Sequence, residues 1–401
     1  MTDKQDAYAD FDASGEPEGG TGAALAQSAA DWTQEDLVAE IRESFALIEP
    51  YGPEAAAWFY EHFFAANPRY RKYFSSDPAV QQRRLFQSVQ RVVADLDRLD
   101  EFLPYLRRLA LRHRKFALRS AHYQAFGASL LATVAQYCGP QWTERTNAAW
   151  EAGYGLVATV MLEAGAEEDA VAPPYWEAEV VGHEVLGGAI AKITAKVLED
   201  SRLPGGYSFR AGQFAAVETA AAPRVWRDFS FANAPGNGEI EFHVQSVRPG
   251  GVSEVLVQRT SVGDRLRVAQ AEGELAFPEP ERAGRLLAIA HDTAAAPVYA
   301  LVAAAVAERD ARPLTVLLLS DQGPHYLADA FESLVEAHAD LTVEEVDNTS
   351  VAAVRAHSVA RGPGGAIGAV LVGPSVMVDE CRKSLLAAGV DAADVSSDQF
   401  D

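Results

Sequence analysis

Two cysteines, Cys138 and Cys381, are the only thiols in 401 residues. They lie far apart in the chain, so no disulfide framework and no cysteine-based metal site can be assembled from them. A reducing, cytoplasmic compartment is the simple expectation. Positive charge is scarce as well: 34 Lys and Arg stand against 57 Asp and Glu, a formal net charge of −23. That balance argues against nucleic-acid and membrane-surface partners, which need a basic footprint. No apolar run reaches the ~18 residues of a membrane-spanning helix. The opening Met-Thr-Asp-Lys-Gln-Asp has neither the basic nor the apolar region of a secretory signal. What remains is a globular composition, 48% hydrophobic and 23% charged. At roughly 150 residues per domain it suits two or three domains.

The pattern divides the chain into four stretches. Residues 1–31 are rich in Asp, Glu, Gly, Ala and Ser, and too poor in apolar surface to offset the cost of ordering; an acidic, disordered tail is expected. Residues 32–168 read as all α. Thr33-Gln34-Glu35-Asp36 is a capping signature ahead of Leu37. Phe59, Tyr60, Phe63 and Phe64 then recur at helical spacing, as do Gln81, Leu85, Ser88 and Val92. Leu106, Leu109, Ala110 and His113 share a face, and so do Trp150, Tyr154, Val157 and Met161. After a linker holding Pro173-Pro174 the period falls to two: Ile240, Phe242 and Val244 alternate with polar neighbours. Short strand candidates separated by Gly and Pro make residues 174–280 a small antiparallel β-barrel. In residues 281–401 strands alternate with helices, which predicts an α/β domain with a parallel, doubly wound sheet.

The chemistry starts from His113. A lone histidine on an apolar helical face is more often a satisfied core residue than a metal ligand. Here Tyr60, Gln81 and His113 fall in three helices of one α domain. A haem iron needs one axial nitrogen, and an oxygen ligand opposite it needs hydrogen-bond donors in an apolar pocket. A phenol O–H and an amide NH₂ supply them.

With these residues the chain resembles the flavohaemoglobin family, a globin fused to a ferredoxin-reductase-like flavin module. Trp58 to Phe64 followed by Asn67-Pro68 is similar to the family's second helix, with Tyr60 facing the ligand. Phe74 falls where a phenylalanine packs on the haem, Gln81 and Leu85 on the distal helix, and Arg112-His113 with His122-Tyr123 where the proximal histidine and its tyrosine partner stand. The family also sets a glutamate beside the proximal histidine. Glu144 or Arg145 occupies that neighbourhood here.

The resemblance continues into the flavin module. Arg227-Asp228-Phe229-Ser230 is similar to an Arg-x-Tyr-Ser flavin motif, in which Arg meets the pyrophosphate, the ring packs on the isoalloxazine and Ser bonds the flavin. Phe214 lies on the preceding strand motif. Gly250, Gly251, Val252 and Ser253 resemble the turn that holds the pyrophosphate, and Phe400 an aromatic stacked on the flavin.

In the last domain the glycine-rich turn of the family reads His291-Asp292-Thr293-Ala294-Ala295-Ala296-Pro297. Thr293 and Pro297 persist, while three glycines have become His, Asp and Ala. Gly373-Pro374 follow a valine where the family has cysteine. Side chains now crowd the approach of a dinucleotide, and Asp292 adds a negative charge. Haem b and FAD are therefore the implied cofactors, with NAD(P)H in question. The resemblance implies oxidation of NO by O₂ to nitrate, with electrons passed from FAD to haem. Two alternatives stay open: an oxidoreductase fed by an external reductase or an organic electron donor, and a haem-based gas or redox sensor without turnover.

Overall fold

A computed structural model describes residues 33–400 apart from 75–77, 187–188, 199–205, 237, 247–250 and 322. The acidic stretch 1–31 and Gly250 lie outside these described residues. The chain forms two compact units: residues 1–113 with 118–166, and residues 167–401 with 114–117.

The first unit is helical: α1 (Gln34–Ile48), α2 (Gly52–Ala66), α3 (Pro78–Asp95), α4 (Leu99–Arg114), α5 (Ser120–Cys138) and α6 (Glu144–Asp169). The capping box expected at the entry to α1 is formed. Asp36 N–H donates to Thr33 Oγ1 at 3.2 Å, and Thr33 N–H returns a bond to the Asp36 carboxylate at 3.1 Å. Each helix turns its apolar stripe inward, and Ile41, Phe45, Phe59, Phe63, Phe102, Leu106, Val134 and Trp150 make one core. Burying an aromatic ring of this size contributes about 1.5–3 kcal/mol. The Phe59 ring, 1% exposed, is among the largest fully buried side chains.

The second unit carries two sheets. Six antiparallel strands run in the order β4-β3-β6-β1-β2-β5. They are β1 (Trp176–Leu186), β2 (Ile190–Val197), β3 (Phe214–Thr219), β4 (Arg227–Ser230), β5 (Glu239–Gln245) and β6 (Arg265–Val268). A bridge between Phe231 and Phe242 joins the end of β4 to β5, which closes the sheet into a barrel. The alternation read at Ile240, Phe242 and Val244 places all three in the barrel core. A seven-residue helix, α7 (Val252–Gln258), follows β5.

The second sheet is wholly parallel, in the order β11-β10-β7-β8-β9. Its strands are β7 (Arg285–His291), β8 (Leu314–Leu319), β9 (Leu341–Val346), β10 (Ile367–Gly373) and β11 (Val395–Gln399). Strand β7 is buried on both faces, as parallel strands are. Leu286, Ala288 and Ala290 meet α8 (Ala295–Ala307) and α9 (Ala328–Ala337). Leu287 and Ile289 meet α10 (Thr349–Ala360) and α11 (Ser375–Ala387). The first strand lies beside the fourth, so strand order reverses between β7 and β10. In such sheets ligands bind outside the carboxyl ends of the strands at that reversal.

One glycine fixes the approach to the barrel. Gly212, just before β3, has φ +85°, and a Cβ there would stand 2.1 Å from the Leu275 carbonyl oxygen. Both the left-handed backbone and the blocking main chain forbid a side chain. Gly212→Ala is expected to destabilise the full chain by at least ~2 kcal/mol, read as a lowered urea midpoint at unchanged slope. An unshifted midpoint would contradict this packing.

Candidate functional site

In the first unit, α2 supplies a cluster of rings. Tyr60 stands edge-on to Phe59 (5.2 Å between centroids) and to Phe74 (5.7 Å), and stacks with Phe64 at 5.8 Å. Phe74 also meets Phe63 and Phe64 edge-on. Burial pushes the Tyr60 phenol up to about 12, so at neutral pH it keeps its proton and can donate. Gln81 and Leu85 lie one turn apart on α3, both half-buried. Leu85 packs against the same core as Tyr60.

His113 is half-buried near the end of α4. Its Nδ1 lies 2.7 Å from the Leu109 carbonyl oxygen, one helical turn back. Only a protonated Nδ1 can donate there, so this tautomer carries its lone pair on Nε2, the form a metal-ligating histidine takes. Tyr123 is raised by burial, and its carbonyl accepts the Tyr154 hydroxyl at 2.7 Å. Burial raises Tyr154 too. The two residues weighed as a proximal carboxylate site open α6. Glu144 is exposed in the first turn of α6, and Arg145 is paired with Glu40 at 3.0 Å.

In the second unit, the Arg227–Ser230 motif forms β4, paired antiparallel with β3 so that Phe214 faces Ser230 and Ala215 faces Phe229. Arg227 is exposed, and its guanidinium donates to the Trp226 carbonyl at 2.9 Å. Phe229 packs on the barrel core. Gly251 and Ser253 are half-buried at the entry to α7, and Val252 is buried beneath them. Gly373 ends β10, and Phe400, 44% exposed, donates its backbone N–H to the Gly373 carbonyl at 3.2 Å.

Asp398 escaped sequence reading because the polar Val-Ser-Ser-Asp-Gln string looks like a tail. Burial raises its carboxyl, and the charge of Asp228 adds to that, which links the terminal strand β11 to the flavin motif. His243 was also missed. Its Nε2 contacts the Glu241 carboxylate at 3.0 Å and its Nδ1 the Tyr326 hydroxyl at 2.9 Å. Burial works against the Glu241 charge, but His243 and Lys192 outweigh it and hold the carboxyl below its usual range.

A globin family model matches residues 57–161. A flavohemoprotein of Chromobacterium violaceum is 26% identical over 326 residues, spanning 76% of this chain and 79% of that protein. One from Vibrio cholerae is 25% identical over 267 residues, spanning 60% of this chain and 65% of that protein. The chain is thus similar to flavohemoproteins, and the globin match lies within its first unit. A flavohemoglobin from Malassezia yamatoensis, solved with bound FAD and haem, shares the fold at a TM-score of 0.72 and 15% identity, over 91% of this chain and 99% of that one.

Residues of this chain are of the kinds that two cofactors, haem and FAD, require. A haem asks for an imidazole with its lone pair on Nε2, a ring wall and neutral donors. His113, Phe74, Tyr60 and Gln81 are of those kinds. FAD asks for a cation at its diphosphate and an aromatic and a hydroxyl at its ring, which Arg227, Phe229 and Ser230 offer on one short strand. The nicotinamide turn does not fit. Asp292 takes the left-handed φ of +44°, which glycine would adopt without strain. His291 Nε2 contacts the Asp321 carboxylate at 3.0 Å, and its Nδ1 the Asp292 carboxylate at 3.6 Å. Two carboxylates and an imidazole therefore cap the end of β7. Thr293 Oγ1 donates to Gln245 at 3.4 Å, and Pro297 is buried in α8. Among the described residues no helix is long and apolar enough to cross a membrane.

Proposed function

We propose that this haem- and FAD-dependent oxidoreductase converts nitric oxide to nitrate, NO + O₂ + e⁻ → NO₃⁻. Haem b, once bound, supplies the redox chemistry on the two gases, and FAD supplies the electrons. The observation that carries the reading is that one helical unit holds both a protonated phenol, Tyr60, and a histidine, His113, in the Nε2 tautomer. His113 would hold the iron, and the Leu109 carbonyl, by accepting its Nδ1–H, fixes the ring and would make it a stronger ligand. Tyr60 and Gln81 would offer neutral donors to an oxygen ligand. Phe74 would pack on the porphyrin. Arg227 would meet the flavin diphosphate, and Phe229 and Ser230 would orient its ring. Stopped-flow mixing of the oxygenated ferrous protein with NO tests the activity. Nitrate is expected to form faster than with unassisted haem of the myoglobin kind; equal rates would remove the reading.

A second reading concerns the electron source and is favoured by the His291–Asp292–Asp321 cap. Two carboxylates facing a dinucleotide diphosphate repel it by several times the energy of a surface pair, because one of them is largely shielded from solvent. Electrons then come from an external reductase or an organic donor oxidised at the flavin. Wild-type flavin is expected to be reduced at least about tenfold more slowly by micromolar NADH or NADPH than in an Asp292→Gly variant, a difference of ~1.4 kcal/mol. Rapid reduction of the wild type at micromolar NADH or NADPH would overturn this reading.

A further inference from the structure

We propose that His291, Asp292 and Asp321 form a site for one divalent metal ion that takes mixed nitrogen and oxygen ligands, such as Zn²⁺. Each side chain offers one donor atom, and the three donors lie within 4.8 Å of one another. His291 Nε2 stands 3.0 Å from an Asp321 carboxylate oxygen. That is the spacing of two neighbouring ligands on one ion, since bonds of about 2.0–2.2 Å put them about 3.0–3.4 Å apart. The Asp292 carboxylate, 3.6 Å from the other ring nitrogen, joins them by a side-chain rotation.

The donor types select the ion. With no thiolate in the set, soft Cu⁺ is disfavoured. The imidazole turns the site away from Ca²⁺ and Mg²⁺, which take oxygen ligands. Two carboxylates and a neutral imidazole bring two negative charges, which a divalent ion cancels and a monovalent ion does not. Three protein ligands leave a further position for water or an anionic oxygen, as in open zinc sites. The side chains of His291 and Asp292 are 17% and 20% exposed and that of Asp321 75%. An ion therefore arrives from solvent by way of Asp321 and settles against the shielded pair.

The fold presents the three side chains together. His291 pairs in register with Leu319 across β7 and β8, and Asp321 follows two residues on. A Cβ at Gly373 would stand 3.1 Å from the His291 Cβ, so that glycine leaves the imidazole its place. Groups outside the ligand set hold the turn. Asp321 N–H donates to the Asp292 carboxylate at 3.4 Å, and His325 Nε2–H donates to the Asp292 carbonyl at 3.1 Å. The His325 ring is fixed in turn, its Nδ1 accepting Leu327 N–H at 3.2 Å. Outer contacts of this kind orient metal ligands. His291 and Asp292 stand where two glycines of the resembled turn have no side chain, at the carboxyl end of the strand beside which the sheet order reverses. A seated ion cancels the two carboxylates, so the repulsion of a dinucleotide argued above belongs to the metal-free protein.

The test uses the full-length holoprotein, stripped with EDTA and desalted, with Mn²⁺ as the spectroscopic probe and Zn²⁺ as its competitor. Mn²⁺ is expected to bind with an imidazole nitrogen coupling in its electron spin echo, and Zn²⁺ to displace it. His291→Ala is expected to abolish that coupling and to weaken binding at least about tenfold, with haem and flavin content unchanged. Asp321→Asn, a change at an exposed side chain, is expected to weaken binding by a similar factor and serves alone if His291→Ala does not fold. No bound ion, an ion without the nitrogen coupling, or an ion held equally by the wild type and the folded variants overturns the inference; the three groups then form an ion-paired cluster only. The site does not rest on what feeds the flavin, and the two fail separately. An ion bound by a protein whose flavin is rapidly reduced by micromolar NADH or NADPH in EDTA keeps this site and removes the electron-source reading. Slow reduction in EDTA with no ion bound removes this site and keeps that reading.

Discussion

Replacing His113 with alanine is expected to leave the full chain without a Soret band when it is purified with added hemin, while its flavin content stays that of the wild type. The imidazole is the axial nitrogen assigned to the iron, and Leu109 already holds it in the Nε2 tautomer. Loss of a mere outer partner of a metal ligand costs about 10–100-fold in affinity, so loss of the ligand itself exceeds that. Stability should follow by mass action: a haem held at 100–1,000 times its dissociation constant stabilises the native state by about 2.7–4.1 kcal/mol. His113→Ala therefore lowers the thermal midpoint of the helical unit to that of the haem-free wild type. Adding imidazole should restore part of the Soret band, because the cavity left by alanine admits the free ring. A Soret band of normal intensity in His113→Ala would assign the iron to another residue.

The second large effect concerns Tyr60. Tyr60→Phe keeps the ring and its contacts with Phe59, Phe64 and Phe74 and removes only the hydroxyl. A hydrogen bond to a charged acceptor contributes about 1.5–3 kcal/mol, so dioxygen should leave the ferrous protein about 10–150-fold faster. Gln81→Leu should act in the same direction. The double variant should lose less than the product of the two effects, since both donors serve one oxygen ligand. The wild-type rate should stay flat between about pH 6 and 9, because the buried phenol ionises only near 12. A dissociation rate unmoved by Tyr60→Phe would take the phenol out of the site.

Much of this was legible in the chain because aromatic spacing and period change are strong signals. Tyr60, Gln81 and His113 each sit on a helix whose apolar stripe is unbroken in sequence. The alternation at Ile240, Phe242 and Val244 maps directly to the inner face of the barrel. Short and peripheral elements were harder. Strand β9, Leu-Thr-Val-Glu-Glu-Val, is an edge strand with only Leu341 fully buried, so its alternation is weak. Strand β11 is mostly Ser, Asp and Gln, with only Val395 buried, and it pairs in parallel with β10. No local propensity announces such a strand. Asp398 was hidden for that reason.

Tertiary pairing hid the rest. Helical register alone does not say whether Glu144 or Arg145 turns towards His113. Nor does it foretell that Glu40, 105 residues before Arg145, takes the Arg145 guanidinium. The His291–Asp321 contact joins the ends of β7 and β8 across 30 residues. From the sequence the altered turn reads as missing glycines, whereas the structure reveals a closed cluster of charge in their place.

The central claim is that one haem and one flavin work together in this chain, and anaerobic photoreduction of the purified full-length protein tests it most directly. Light-driven reduction of the flavin needs no nicotinamide, so the altered turn does not enter. The account predicts one haem b and one FAD per chain, with the haem Soret band shifting to its ferrous position as the flavin bleaches. Protein that carries no flavin, or a haem that stays ferric after the flavin is fully reduced, would contradict it.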